Sequence, residues 1–166
     1  MNFPAVFAIE LSSETSCVLE GLIFQLKVST GQKDPYFILL PKTNEVGRTE
    51  ITHEDFVGQF KDHWEMGLMD DSGTPEEADK NIELSLFDPT WLIENQNLAL
   101  AWPLFKNEKN KWSTRKEEYD YKVSCRNKEH SFAPIIINIE TEQTVSLVVI
   151  KDRIKAVQPY NQADGK

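Results

Sequence analysis

Short apolar runs rich in β-branched and aromatic residues recur along the chain, with turn-forming residues between them. The first covers residues 6–9. From 22 to 28 the pattern alternates strictly: Leu22, Phe24, Leu26 and Val28 fall on one side, and Ile23, Gln25 and Lys27 on the other. A period of two predicts a strand with one buried face, because successive side chains leave a strand on opposite faces. Residues 36–40 are apolar throughout, which predicts a central strand, and Pro41 ends it because proline has no N–H to give a ladder. A turn at 44–47, ending in Gly47, leads into 48–51. Residues 64–69 alternate again, with Trp64, Met66 and Leu68 on one side. Further strands are expected at 82–87, 119–125, 132–139 and 145–151, with a short one at 154–157.

Two helices are marked by their caps. Thr52 stands where an N-cap belongs and Asp55 where a capping-box acid would sit, while Phe56, Val57 and Phe60 form one apolar face. This predicts a short helix over about 53–61. Asp88-Pro89 pairs an N-cap acid with proline at the first helical position. Beyond it Trp91, Asn95, Leu98, Trp102 and Phe105 recur at helical spacing, which predicts a medium helix over about 89–102, and Pro103 stops it. Residues 30–35, 70–81 and 107–118 read as loops, the last strongly charged and exposed. The fold class expected is mostly β: a β-sandwich of about eight or nine short strands with these two helical insertions.

At 166 residues the chain fits one domain, expected over 1–158 with a loose polar tail at 159–166. No stretch approaches the roughly 20 apolar residues of a membrane span, and Met1-Asn2-Phe3-Pro4-Ala5 lacks the basic flank and apolar run of a secretory signal. A cytoplasmic location is expected. Cys17 and Cys125 are too few for a disulfide framework and share no metal-ligand spacing, so free thiols in apolar surroundings are expected.

The net charge of −9 is unevenly spread: residues 1–100 carry 6 Lys and Arg against 18 Asp and Glu, and residues 101–166 carry 12 against 9. An acidic body disfavours nucleic acid and anionic membrane, whose binding needs a basic face, and suits a basic protein partner. The densest carboxylate cluster is Asp70, Asp71, Glu76, Glu77 and Asp79. Hard cations take oxygen ligands from such loops, but the spacing is not that of an EF-hand, and a solvated acidic loop is the expectation. Trp112 stands beside Arg115 in the basic stretch 109–116 and is read as exposed or as cover for the sandwich edge; Trp and Arg are enriched at interface hot spots.

Motifs for chemistry are lacking. The chain has no Gly-x-Ser-x-Gly elbow, no phosphate-binding glycine loop and no cysteine at an electropositive helix start. His53, His63 and His130 are expected at the surface. A zinc site drawn from His53, His63 and Asp70 would need three or four ligands in supportive geometry. No catalytic residue, metal ligand or cofactor is therefore assigned.

The order of elements, with Gly47-Arg48-Thr49-Glu50-Ile51-Thr52 after a turn and a helix over 88–102 before the last strands, resembles the transthyretin-like (prealbumin-like) β-sandwiches, architectural relatives of Cna-B domains. The resemblance implies a scaffold or binding module. It does not carry over the hydrolase activity of 5-hydroxyisourate hydrolase, since that enzyme's terminal Tyr-Arg-Gly-Ser is absent from the end of this chain. The function expected is a non-enzymatic protein-interaction domain with an acidic surface, for example a bacterial immunity or inhibitor protein. The alternatives are a sugar- or peptide-binding module using Trp112 and loop aromatics, and a metal-dependent hydrolase built on His53, His63 and the Asp70-Asp71 loop.

Overall fold

A computed structural model describes residues 1–13, 20–31, 35–65, 74–87, 113–117, 120–125, 128–157 and 160–162. In chain order the elements are β1 (Val6–Ser13), β2 (Phe24–Val28), β3 (Tyr36–Leu39), β4 (Arg48–Thr52), α1 (His53–Glu65) and, after a single 3-10 turn at Pro75–Glu77, β5 (Asn81–Leu86). Then follow β6 (Ser113–Glu117), β7 (Asp120–Cys125), β8 (Lys128–Phe132), β9 (Ile135–Asn138), β10 (Thr144–Ile150), β11 (Arg153–Ala156) and β12 (Asn161–Gln162).

The strands form two sheets. One has seven strands in the order β4-β1-β10-β11-β8-β7-β6 and curves into a half-barrel; the other has five, in the order β12-β9-β5-β2-β3. The chain is thus mostly β. Pairing is antiparallel except for β1 with β10 and β11 with β8. The first of these is a long register, from Ala8 opposite Thr144 to Ser13 opposite Val149. The second holds a single pair, Arg153 with Ser131.

The core lies between the sheets and follows the period of two. Phe7, Ile9 and Leu11 of β1 and Val145, Leu147 and Val149 of β10 point inward from one sheet. Phe24, Leu26 and Val28 of β2 and Ile82, Leu84 and Leu86 of β5 meet them from the other. The face predicted for 22–28 is therefore buried as expected. Its other face is covered too at Ile23 and Gln25, and only Lys27 is exposed. The turn at 44–47 forms as read: the Asn44 side chain accepts from the Val46 and Arg48 amides, and Gly47 takes a positive φ of 81°, a conformation glycine adopts without a Cβ penalty.

Several expectations are corrected. The apolar run 36–40 is the edge strand of its sheet, not a central one; its second face is covered by α1 instead of its edge by another strand. Helix α1 starts where its cap predicted, with the Asp55 amide donating to Thr52 Oγ1 at 3.1 Å, but runs on to Glu65, so Trp64 is helical and begins no strand. Residues 113–117, expected within an exposed loop, form β6, the outermost strand of the larger sheet; Arg115 is thus a strand residue, in register with Lys122. Charge hid this strand, and charge is what a sheet edge uses to deter further pairing. The run 132–139 divides at Ala133-Pro134 into β8 and β9, which belong to different sheets. His130, expected in a solvated turn, lies on β8 with only 2% of its surface exposed. Within 159–166, Asn161 and Gln162 form β12, opposite Ile136 and Ile135, and residues 159 and 163–166 lie outside the described residues, so the expectation of a loose tail stays open. Among the described residues α1 is the one α-helix; the helix expected over 89–102 lies outside them, as do Cys17, Trp91, Trp102 and Trp112.

Candidate protein-docking face

The first residues of the chain gather three turns at one end of the sandwich. The Met1 amine donates to the Glu76 carbonyl oxygen at 2.8 Å, and the Asn2 amide to Glu140 Oε2 at 2.7 Å. The Phe3 carbonyl oxygen lies 3.1 Å from His53 Nδ1 at the start of α1, and the Ala5 carbonyl accepts from the His53 amide at 2.9 Å. Three extended residues span at most about 11 Å. The 3-10 turn at Pro75–Glu77, the β9–β10 turn and the first turn of α1 therefore share one face.

That face is acidic. Glu76, Glu77 and Asp79 come from the first turn, Glu140 and Glu142 from the second, and Glu54 and Asp55 from α1. Several carboxylates are used locally: Glu77 Oε1 accepts from Thr74 Oγ1, Asp79 Oδ1 from the Asn81 amide, and Glu142 Oε2 from the Tyr160 hydroxyl. None of the seven forms a salt bridge with lysine or arginine among the described residues. The bridges present lie elsewhere, joining Arg48 to Glu10 and Glu50 and Lys27 to Glu83. The face also carries the Met1 amine and exposed Lys80, so it is acidic in balance rather than of one sign. A net negative face produces a field that steers an oppositely charged protein toward it.

Beside this face runs a groove of about 410 Å³ between α1 and the β3–β4 side of the sandwich. Leu39, Pro41 and Ile51 make its apolar floor, and Glu54 and Asp55 stand on its rim. Glycine in a helix interior is about 1 kcal/mol less favourable than alanine, yet Gly58 sits in the second turn of α1 on this groove. A Cβ placed there would meet nothing within 4 Å, so internal packing does not require the glycine. The floor is closed to strand addition at Leu39. Gln59 Oε1 accepts from the Leu39 amide at 2.9 Å and Gln59 Nε2 donates to the Leu39 carbonyl at 2.7 Å, so one side-chain amide fills the place of a neighbouring strand.

A second depression, of about 330 Å³, opens where the larger sheet splits between β8 and β11. Phe132, Ile135 and Ile154 line its depth, Arg153 and Lys155 its rim, and Tyr160 one wall.

Of the residues singled out in the sequence, Glu76, Glu77 and Asp79 are exposed and lie together on the acidic face. Asp70, Asp71 and Trp112 lie outside the described residues, and Arg115 is in β6. Among the described residues no three His, Cys, Asp or Glu side chains are grouped to hold a metal. His53 and His63 stand at opposite ends of α1, separated by about 15 Å of helical rise. Missed in the sequence were Glu140, Glu142 and Glu54, and the groove with Gly58. No family model matches the chain, and no curated protein or solved structure matches it. No described helix is long and apolar enough to cross a membrane.

Proposed function

We propose that this protein is a non-enzymatic interaction module that binds a basic protein through the acidic end of its sandwich, as an inhibitor or immunity protein would engage a cationic toxin. The observation that carries this is the convergence of three turns, each bearing carboxylates that form no salt bridge among the described residues, on the face tied together by Met1–Phe3 in space. On this reading the two sheets are a rigid scaffold, as the likeness in element order to transthyretin-like domains implies, and the protein works in the cytoplasm. Complementary charge speeds encounter more than it adds affinity, and the effect weakens with salt.

The test is capture from the source lysate at low and moderate salt, with wild type beside a Glu76→Lys/Glu77→Lys variant. Both positions are exposed, so the variant should fold. A basic protein should be retained by wild type, released as salt rises, and lost by the variant. No partner at either salt, or the same proteins on both baits, would remove the proposal.

The depression between β8 and β11 favours a second reading, a module for a small ligand or peptide. Amide shifts of Phe132, Ile154 and Ala156 in the ¹⁵N-labelled chain, followed across a panel of glycans and peptides, test it, and unmoved shifts end it.

A further inference from the structure

We propose that the groove beside α1 is a pocket for one arginine side chain of a protein partner. The inference rests on the reading of the acidic end as a docking face and assigns one contact within it. Acidic residues in the first turn of a helix carry no such meaning alone, since the helix dipole favours them wherever they occur. Three further features of the groove give them one.

The floor of Leu39, Pro41 and Ile51 is apolar, whereas Glu54 and Asp55 stand on the rim with no cation paired to them among the described residues. Arg48, the arginine of adjacent β4, is occupied by Glu10 and Glu50. The side chain that satisfies such a site carries a long apolar stem and a cationic head. Second, Gly58 leaves open the wall of α1 that a side chain would fill, and nothing in the fold itself needs that space. Third, Gln59 already satisfies both backbone groups of Leu39, so at that residue the groove offers no ladder to an incoming strand, and a ligand there is held through its side chain on this proposal. Arginine fits better than lysine. Its planar guanidinium is weakly hydrated, lies flat on apolar surface, and has five donors with which to reach two carboxylates; ammonium is a compact, strongly hydrated charge.

The probe is the capped tripeptide acetyl-Gly-Arg-Gly-amide, titrated into the ¹⁵N-labelled full chain and followed by amide shifts, beside its lysine and citrulline counterparts. Citrulline keeps the shape and removes the charge. The arginine peptide should move the Leu39, Ile51 and Gly58 amides, with the citrulline peptide at least about tenfold weaker, the value of a charge-assisted bond lost. Gly58→Leu should abolish these shifts while its melting temperature equals or exceeds that of wild type, because leucine is the better helix former. Glu54→Gln/Asp55→Asn should weaken binding by a similar factor.

Equal binding of arginine and citrulline, or unchanged binding by Gly58→Leu, would overturn the assignment. So would shifts confined to the turns bearing Glu76 and Glu140, which would leave the broader acidic docking face standing. Groove shifts that persist in Glu76→Lys/Glu77→Lys, with protein capture lost, would support the pocket separately from that face.

Discussion

Along the free edge of β3, helix α1 supplies what a neighbouring strand would: Gln59 takes both backbone groups of Leu39, and aromatic rings fill the space behind. Phe3 stacks on Phe56 at 3.9 Å, Phe60 on Tyr36 at 4.3 Å, and Phe56 lies 5.1 Å from Phe60, so the rings run unbroken from the N-terminal segment to the edge strand. Between β8 and β11 the larger sheet is also interrupted, but there one register pair holds, reinforced by the Ser131 amide on the Asp152 carbonyl at 2.8 Å, and a depression remains. The same problem, a strand lacking a neighbour, is closed in one place by side chains and left open in the other. Openings of the low-stability kind are where binding surfaces and local motion are expected, whereas a sealed edge shares the stability of the whole fold.

Removing the aromatic seal breaks the contrast most severely. Phe60 is fully buried, and Phe60→Ala should lower the unfolding free energy by about 3–5 kcal/mol, the range for emptying a phenylalanine site in a core. Urea denaturation measures it. A loss below about 1 kcal/mol would mean that α1 rests on the sandwich without sealing it.

Gln59→Ala is gentler and more local. It leaves the Leu39 amide and carbonyl without their partner, at a penalty of about 1–3 kcal/mol. Hydrogen exchange sharpens the comparison: the Leu39 amide should change from slow to fast, while the Ala156 amide, beside the β8–β11 opening, should exchange at one rate in both proteins. Exposure of the β3 edge should also promote self-association. An unaltered Leu39 rate would show that the amide pair is dispensable.

How much of this was readable beforehand differs between the same two regions. The alternation at 22–28 and the Thr52 cap depend on neighbours in the chain, and local pattern reports them faithfully. The run 36–40 told that both faces of a strand are covered, but burial by a helix and burial by a sheet leave the same trace in sequence. The opening between β8 and β11 left no trace, because it arises where 132–139 divides at Pro134 and sends β8 and β9 to different sheets. His130 was misplaced for a related reason: its polar neighbours suggest a turn, while pairing with Val123 of β7 places it in the interior. The acidic site divides likewise. Glu76, Glu77 and Asp79 are close in sequence and announced themselves. Glu54, Glu140 and Glu142 join them only because Met1–Phe3 crosses between distant turns, and Gly58 becomes informative only once the groove beside it exists.

The smallest effect concerns Tyr160, which walls the open depression. Its hydroxyl donates to Glu142 Oε2 at 3.4 Å, and its phenol is held above the ordinary value of 10.0, first by burial, then by the negative charge of Glu142 and the hydrogen bond to it. The unfolded chain therefore releases this proton at a lower pH than the folded one does. Through that interval folding retains a proton that unfolding gives up, so alkali favours unfolding. The contribution is intact below the unfolded value and is lost as pH rises through the folded one. Tyr160→Phe should change stability at neutral pH by about 0.5–1.5 kcal/mol or less, the worth of one hydrogen bond, and should make the decline above pH 10 shallower. Glu142→Gln should bring the phenol down toward its ordinary value. Tyrosinate absorbance, taken as wild type minus Tyr160→Phe, reads this titration directly. A difference curve centred at or below 10.0 would show that water reaches this wall freely and that neither burial nor Glu142 holds the phenol.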